Sequence, residues 1–346
     1  LYTIVETTVN SLKELGAEPF IVSAMGSHGG GTEEGQREVL AGYGITEERL
    51  GVPVVTTVDT VYLGNCANGR PVWFDRAAYE ADLIVPINRV KLHTDFVGPI
   101  QSGLCKMLVI GLGNHKGCSA VHEEAPEVFA DAIEETARLI LQKAPVGFGI
   151  AILENAYDKT YAVEAVPAEH LVEREKELVQ IAKGNMPYIM LDEADVIVCG
   201  AIGKDISGAG FDPNILGRSS VLKQFVLHIP RYQRLVLCDV TPASHGNGIG
   251  VGLFDVITKK VAEQLDLESM YANAIACNCL GDASVPCTVD DEETAIRVAL
   301  KCCRNIDRDH PRIIRIQNTL HLGEIEVSEA LLDAVRADSR MSLIEN

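Results

Sequence analysis

The sequence predicts an α/β fold of two domains built on mainly parallel sheets. Three observations carry this. Short, continuously apolar runs alternate with amphipathic stretches, the pattern of strands buried on both faces and covered by helices. Polar, glycine-rich segments follow those runs, where open α/β sheets place their ligand loops. The chain has 346 residues, more than the roughly 250–300 that one core fills, so two domains are expected.

In chain order, residues 3–15 read as a helix, with Ile4, Val5, Val9 and Leu12 at helical spacing. "EPFIVSAMG" reads as a strand that ends in a glycine-rich loop. "TEEGQREVLAGYG" is the next helix, capped by Thr32, with Glu33 and Glu34 at its positive end. "ADLIVPIN" reads as a buried strand and "MLVIGLG" as a further one. "VGFGIAILENAYDKTYAVEAVP" reads as two strands joined by a turn, and "AEHLVEREKELVQIAKG" as a charged amphipathic helix ending at a glycine cap. "ADVIVCGAIG" and "RLVLCDVTPA" repeat the strand-then-loop form, and "DDEETAIRVALKCC" and "SEALLDAVRA" are helices. The domain boundary is placed near residue 190, giving domains 1–190 and 191–346.

Composition excludes some functions. A net charge of −19 disfavours nucleic acid and anionic membrane surfaces as partners. A small anionic substrate would need locally positive loops. No apolar run reaches the roughly 18 residues of a membrane span. The ten cysteines are irregularly spaced with no CxxC pair, as expected of buried thiols in a reducing cytoplasm. The chain starts without Met inside a helix-like stretch, as it would if its natural N-terminus lay further upstream.

The chemistry concentrates in "INRVKLHTDFVGPIQSGLCKMLVIGLGNHKGCSAVHEE", residues 87–124, which holds three histidines and three lysines. His93 follows an apolar run. Lys106 lies thirteen positions on, flanked by Leu104, Cys105, Met107, Leu108 and Val109. A desolvated lysine tends to a lowered pKa and to nucleophilic or Schiff-base chemistry, although a lysine can also snorkel from a strand end. His28, between Gly26 and Gly29 at a strand-to-helix turn, is either a loop histidine near a helix start or a proton-transfer group. His115 and His122 follow Lys106. Neither HExxH nor HxH occurs, so the ligand type alone leaves any metal open.

"GKDISGAGFDPNILGR" gathers Lys204, Asp205, Asp212, Asn214 and Arg218 among glycines. Arg218 could hold a carboxylate bidentately, and either aspartate could instead cap a helix. "GLGNHKG" and "GNGIGVG" both miss the G-x-G-x-x-G dinucleotide pattern.

"AMGSHGGGTEEGQ" is similar to the Gly-Thr-His-Arg-Pro loop of the nickel-dependent lactate racemase family, with Ser27-His28 in place of Thr-His. "HTDFVGPIQSGLCKM" resembles that family's His…Ser-Gly-Gly-x-Lys segment. The Lys106-to-His122 spacing matches that between its cofactor-anchoring lysine and its nickel-ligating histidine. The resemblance implies two α/β domains with the active-site cleft between them. It implies a nickel-pincer nucleotide (pyridinium-3-thioamide-5-thiocarboxylic acid mononucleotide) joined to Lys106 through a thioamide. Ser102 and Gly103 would lie in the cofactor loop and His122 would ligate nickel. His28 and His93 would be the two acid/base residues that serve opposite enantiomers of a 2-hydroxy acid, one taking the hydroxyl proton while hydride moves to the cofactor. Cofactor-making enzymes would be partners, and a homo-oligomer is compatible with this reading.

The family's substrate-binding arginine has no equivalent here, which leaves Lys204, Asn214 and Arg218 as anion-holding candidates. Gly29-Gly30 stand where the family has Arg-Pro, and Leu104-Cys105 replace the second glycine before the lysine. The substrate expected is therefore a 2-hydroxy acid other than lactate, with Trp73 and Phe96 near the pocket, although Trp73 also reads as core. The alternatives are an NAD- or metal-dependent oxidoreductase or lyase on a related fold, and an anion-binding homologue without cofactor.

Overall fold

A computed structural model of the chain describes residues 1–344. It divides into two compact units, one of residues 1–154 and 160–184, the other of residues 155–159 and 185–346.

The second unit is organised on a six-stranded sheet. Its strands are β8 (Val196–Cys199), β9 (Arg234–Leu237), β10 (Val256–Thr258), β11 (Cys287–Val289), β12 (Ile313–Ile316) and β13 (Ile325–Val327), in spatial order β11-β10-β9-β8-β12-β13. All pairings are parallel except the β12–β13 edge. Every side chain of β8 is buried. Ile197 and Cys199 enter a core with Leu235, Leu237, Ile257 and Ile316, while Val196 and Val198 enter another with Val236, Val256 and the Glu292–Lys301 helix through Ala295 and Ala299. Burial on both faces is why the run is continuously apolar rather than alternating.

The first unit is less regular. β1 (Ile21–Val22) pairs in parallel with β2 (Val54–Val55), and β3 (Thr60–Asn65) pairs antiparallel with β4 (Pro71–Asp75). β5 (Ile87–Arg89) lies parallel to β6 (Phe148–Glu154), which pairs antiparallel with β7 (Thr160–Pro167). The β6–β7 hairpin is the two-strand element read from the sequence. The Tyr2–Glu14 helix buries Val5 and Val9 against Leu40, Leu50 and Val54. Thr32 caps the Glu33–Gly42 helix by accepting from Gly35 N at 3.1 Å.

Three expectations are corrected. Of "ADLIVPIN" only Ile87 and Asn88 enter a strand, and Leu83 stays half exposed. "MLVIGLG" is not a strand. Met107–Gly111 is a π-helical turn continuing from the Leu104–Lys106 helix, with Leu108, Val109 and Ile110 buried. A short apolar run is buried equally well by helix or strand, so pattern alone could not choose, and π-turns concentrate at functional sites. The α/β class with parallel-rich sheets holds: the second unit has the larger parallel sheet, and β1–β2 and β5–β6 are the parallel pairs of the first. In the first, sheets of two or three short strands are separated by loops and by this helical stretch. The Leu171–Asn185 helix also runs through Gly184 rather than stopping at it.

Candidate active site

Three segments of the first unit converge. The first is the loop after β1. Gly26 N donates to Gly111 O at 3.0 Å, while Gly26 O accepts from the buried Gln36 Nε2 at 3.2 Å. Gln36 is itself fixed by Ser23, whose hydroxyl donates to Gln36 Oε1 at 2.6 Å. Gly26 has φ +61°, and a Cβ there would meet Ile110 O at 2.9 Å and Cys118 Sγ at 3.4 Å. A side chain is therefore excluded by conformation and by space. The loop presents Ser27 and His28 at the surface, with Ser27 Oγ 3.9 Å from Cys118 Sγ.

The second segment carries His93 and Lys106. The loop after β5 is tied by Gln101, whose Oε1 accepts from His93 N at 2.8 Å and whose Nε2 donates to Gly98 O at 3.1 Å. The His93 ring stacks on buried Phe96 with centroids 4.3 Å apart. Its Nδ1 accepts the Asp95 backbone N–H at 3.1 Å, and its Nε2 is 2.6 Å from Lys106 Nζ. An Nδ1 that accepts puts the neutral ring's proton on Nε2. Which of the two nitrogens holds the shared proton depends on the charge state of Lys106. Burial weakens both groups as bases. Burial, with a smaller contribution from Lys91, lowers Lys106 to about 8 despite Asp95 and Cys118 nearby. Burial and then the Lys106 charge hold His93 well below its ordinary value.

The third segment is the Asn114–His122 helix. His122 Nδ1 lies 2.7 Å from Cys118 O and 3.4 Å from Cys118 Sγ. A ring that donates to the carbonyl through Nδ1 turns Nε2 outward. The ring edge meets Phe129 at 5.1 Å, and Phe129 meets Phe96 at 4.9 Å, so an aromatic row links His122 to His93. Burial alone would raise the Cys118 thiol, but the His122 and Ser27 contacts outweigh it and lower it, while the Cys118 contact raises His122. The helix start is fixed by Asn114. It is fully buried at φ +50° and donates to Asp75 Oδ2 at 2.8 Å, while Asp75 Oδ1 caps Ala78 N.

Of the residues singled out in the sequence, His93, Lys106 and His122 thus share one neighbourhood, and the His28 loop abuts it through Ser27. Ser102 pairs its backbone with Lys91. Gly103 begins the helical stretch, where a Cβ would lie 2.6 Å from the Glu175 carboxyl carbon. Trp73 lies on β4 against Tyr62, with Lys116 over its ring at 4.8 Å.

Lys204, Asn214 and Arg218 belong to the second unit. Lys204 Nζ donates to Gly208 O at 2.6 Å and to Asn273. Asn214 is buried behind the Asp212 cap. The Arg218 guanidinium pairs with Asp255 at 2.7 Å, donates to Leu253 O at 2.8 Å and stacks on Tyr232, which accounts for its charge structurally.

Two participants escaped the sequence reading. The Cys118–His122 pair is legible afterwards as an i, i+4 spacing on a helix. Glu175 was overlooked in a charged run, although its spacing from Leu171, Val172, Leu178 and Val179 puts it on the buried face of the helix.

Among the described residues no group of three or more His, Cys, Asp or Glu could hold a metal, and no helix is long and apolar enough to cross a membrane. The sequence model of the lactate racemase N-terminal domain matches residues 1–131. No curated protein matches the chain. Among solved structures, the lactate racemase apoprotein from Thermoanaerobacterium thermosaccharolyticum aligns at 13% identity and TM-score 0.41, over 73% of each chain. A Thermotoga maritima protein aligns at 12% identity and TM-score 0.44, over 89% of this chain and 73% of its own. Residues 1–131 are thus similar in sequence to the N-terminal domain of lactate racemase.

Proposed function

We propose that the protein is a racemase or epimerase of a 2-hydroxy acid that works with a nickel-pincer nucleotide. Homology to the lactate racemase N-terminal domain supports racemase-type chemistry and an isomerase. The observation that carries the finer reading is the 2.6 Å contact between Lys106 Nζ and His93 Nε2, which puts an acylatable amine beside an acid/base group.

The residues present fit the cofactor. Lys106 is a partly desolvated amine, the form that attacks an acyl group. His122 has Nδ1 engaged by a backbone carbonyl, the arrangement that orients metal-ligating imidazoles and leaves Nε2 for the metal. Gly26 brings backbone close where a side chain would block the approach. Lys106 would hold the nucleotide, with Ser102 and Gly103 in the same loop, and His122 would ligate nickel. When bound, the cofactor supplies a hydride acceptor and donor for the substrate carbinol carbon.

The protein's own part is proton transfer and positioning. Acylation of Lys106 removes its positive charge, one of the two main causes that hold His93 unprotonated, so loading moves His93 toward its working range. His93 then takes the hydroxyl proton of one enantiomer, and His28 does so for the other. The His93 ring is held for this by Phe96, the Asp95 N–H and Gln101. Lys204 is the proposed contact of the substrate carboxylate, ahead of Asn214, which is buried and bonded to Asp212. Arg218 is the weaker candidate, because Asp255 already neutralises it.

The test is a panel of optically pure 2-hydroxy acids, followed by chiral chromatography with and without NAD. Loss of optical purity with no net oxidation supports the proposal. Stoichiometric keto acid formed with NAD would replace it by a dehydrogenase.

A further inference from the structure

Glu175 lies in the middle of the Leu171–Asn185 helix and is fully buried. Its helix neighbours Arg174 and Lys176 turn outward, to Glu164 and Glu177 and to Glu134 and Glu173. The Glu175 carboxylate instead points at the start of the stretch that carries Lys106. Oε2 accepts the Cys105 backbone N–H at 2.7 Å. Oε1 is buried without a hydrogen-bond partner, against the Cα of Gly103, where a Cβ would approach it to 2.6 Å. Gly103 O accepts from Asn88 Nδ2 at 2.9 Å, which ties the same point to β5.

We propose that Glu175 is the positioning residue of Lys106: its carboxylate pins the first turn of the Leu104–Lys106 helix and so holds the amine against His93. A buried acid with only one of its oxygens satisfied is costly, and a neutral side chain would pack there more cheaply. The cap needs an acceptor for the Cys105 N–H, and the glycine opposite leaves room for it. Burial raises the Glu175 carboxyl to about 7, and an oxygen of either form can accept the Cys105 N–H. The inference takes its functional meaning from the proposed role of Lys106. Its test reads the amine itself, so the two fail separately.

The full chain, purified without cofactor-making enzymes, is pulse-acetylated with acetic anhydride from pH 6 to 10. Lys106 modification is read by mass spectrometry, with Lys183 on the Glu175 helix as internal control. The charged and titratable groups near Lys106 are His93, Asp95, Lys91, Cys118 and His122. Those near Glu175 and Cys105 are Glu134 and Arg138.

The wild-type midpoint is expected near pH 8. Glu175→Gln keeps an acceptor for Cys105 N and should keep that midpoint. Glu175→Ala removes the acceptor, and Gly103→Ala displaces it. Each should lift the midpoint by about a unit or more toward the ordinary lysine value. Removal of a negative charge that acted only through space would lower the midpoint, and in the Gln variant as well. Folded Ala variants with the wild-type profile, or a Gln variant shifted as far as the Ala ones, would overturn the assignment. Should Glu175→Ala not fold, Glu175→Asp, one methylene too short, takes its place.

Discussion

Replacing Glu175 by Gln should remove a pH dependence of stability that the wild-type protein carries. The carboxyl moves from 4.5, its ordinary value, to about 7 in the folded protein because burial penalises the charged form. Between those values the folded state binds a proton that the unfolded state has released. Its stabilising contribution is therefore complete below pH 4.5 and is lost as pH rises through 7. At about 1.36 kcal/mol per unit, the whole contribution is about 3 kcal/mol, of which about 2 kcal/mol disappears between pH 5.5 and 8. Gln cannot titrate. Its absolute stability depends on how the buried amide is met, but the difference between the two proteins isolates Glu175 from every other group. Urea unfolding at pH 5.5 and 8, above the sequence pI of 4.9, measures it. The Gln variant should gain about 2 kcal/mol on wild type over that range. A difference that stays constant with pH would refute the burial argument.

Other consequences follow from the same geometry. Asn114→Ala loses a buried hydrogen bond to Asp75 and leaves a non-glycine residue at φ +50°, so it should destabilise by about 2–3 kcal/mol in thermal or denaturant melts. Gly26→Ala should cost about 1–2 kcal/mol from its left-handed backbone alone, and the contacts with Ile110 and Cys118 should disturb the His28 loop enough to lower racemisation. Arg218→Lys breaks the pairing with Asp255 and Leu253 O. It should lower stability more than substrate affinity, as melts and KM values would tell apart. His122→Asn should reduce nickel retention measured by elemental analysis while the Lys106 adduct persists.

What could be read without the fold was the chemistry that a local pattern exposes. Apolar runs such as "VIVC" announce strands buried on both sides, and Thr32 with Glu33 and Glu34 announces a helix start. His93, Lys106 and His122 stood out because each interrupts apolar or glycine-rich surroundings. The helical state of residues 107–111 was not legible, since burial of "MLVIG" is served by either period and only the anchoring of Gly111 O to Gly26 N distinguishes them. The role of Glu175 was invisible for a different reason. Its partner Cys105 lies 70 residues away, and although helical spacing puts Glu175 on the apolar stripe of "LVEREKELV", that stripe does not say what the carboxylate caps. Arg218 shows the opposite failure. A lone arginine in a glycine-rich loop looks available, and its acid, Asp255, is remote in sequence.

The central claim is that Lys106 carries the cofactor and His122 its metal. Intact mass and nickel content, measured on protein co-expressed with the pincer-nucleotide biosynthetic enzymes, test it most directly. The account predicts near-stoichiometric nickel and an added mass of mononucleotide size, both absent from Lys106→Ala. Unmodified, nickel-free wild-type protein under those conditions would contradict it, as would an adduct that survives in Lys106→Ala.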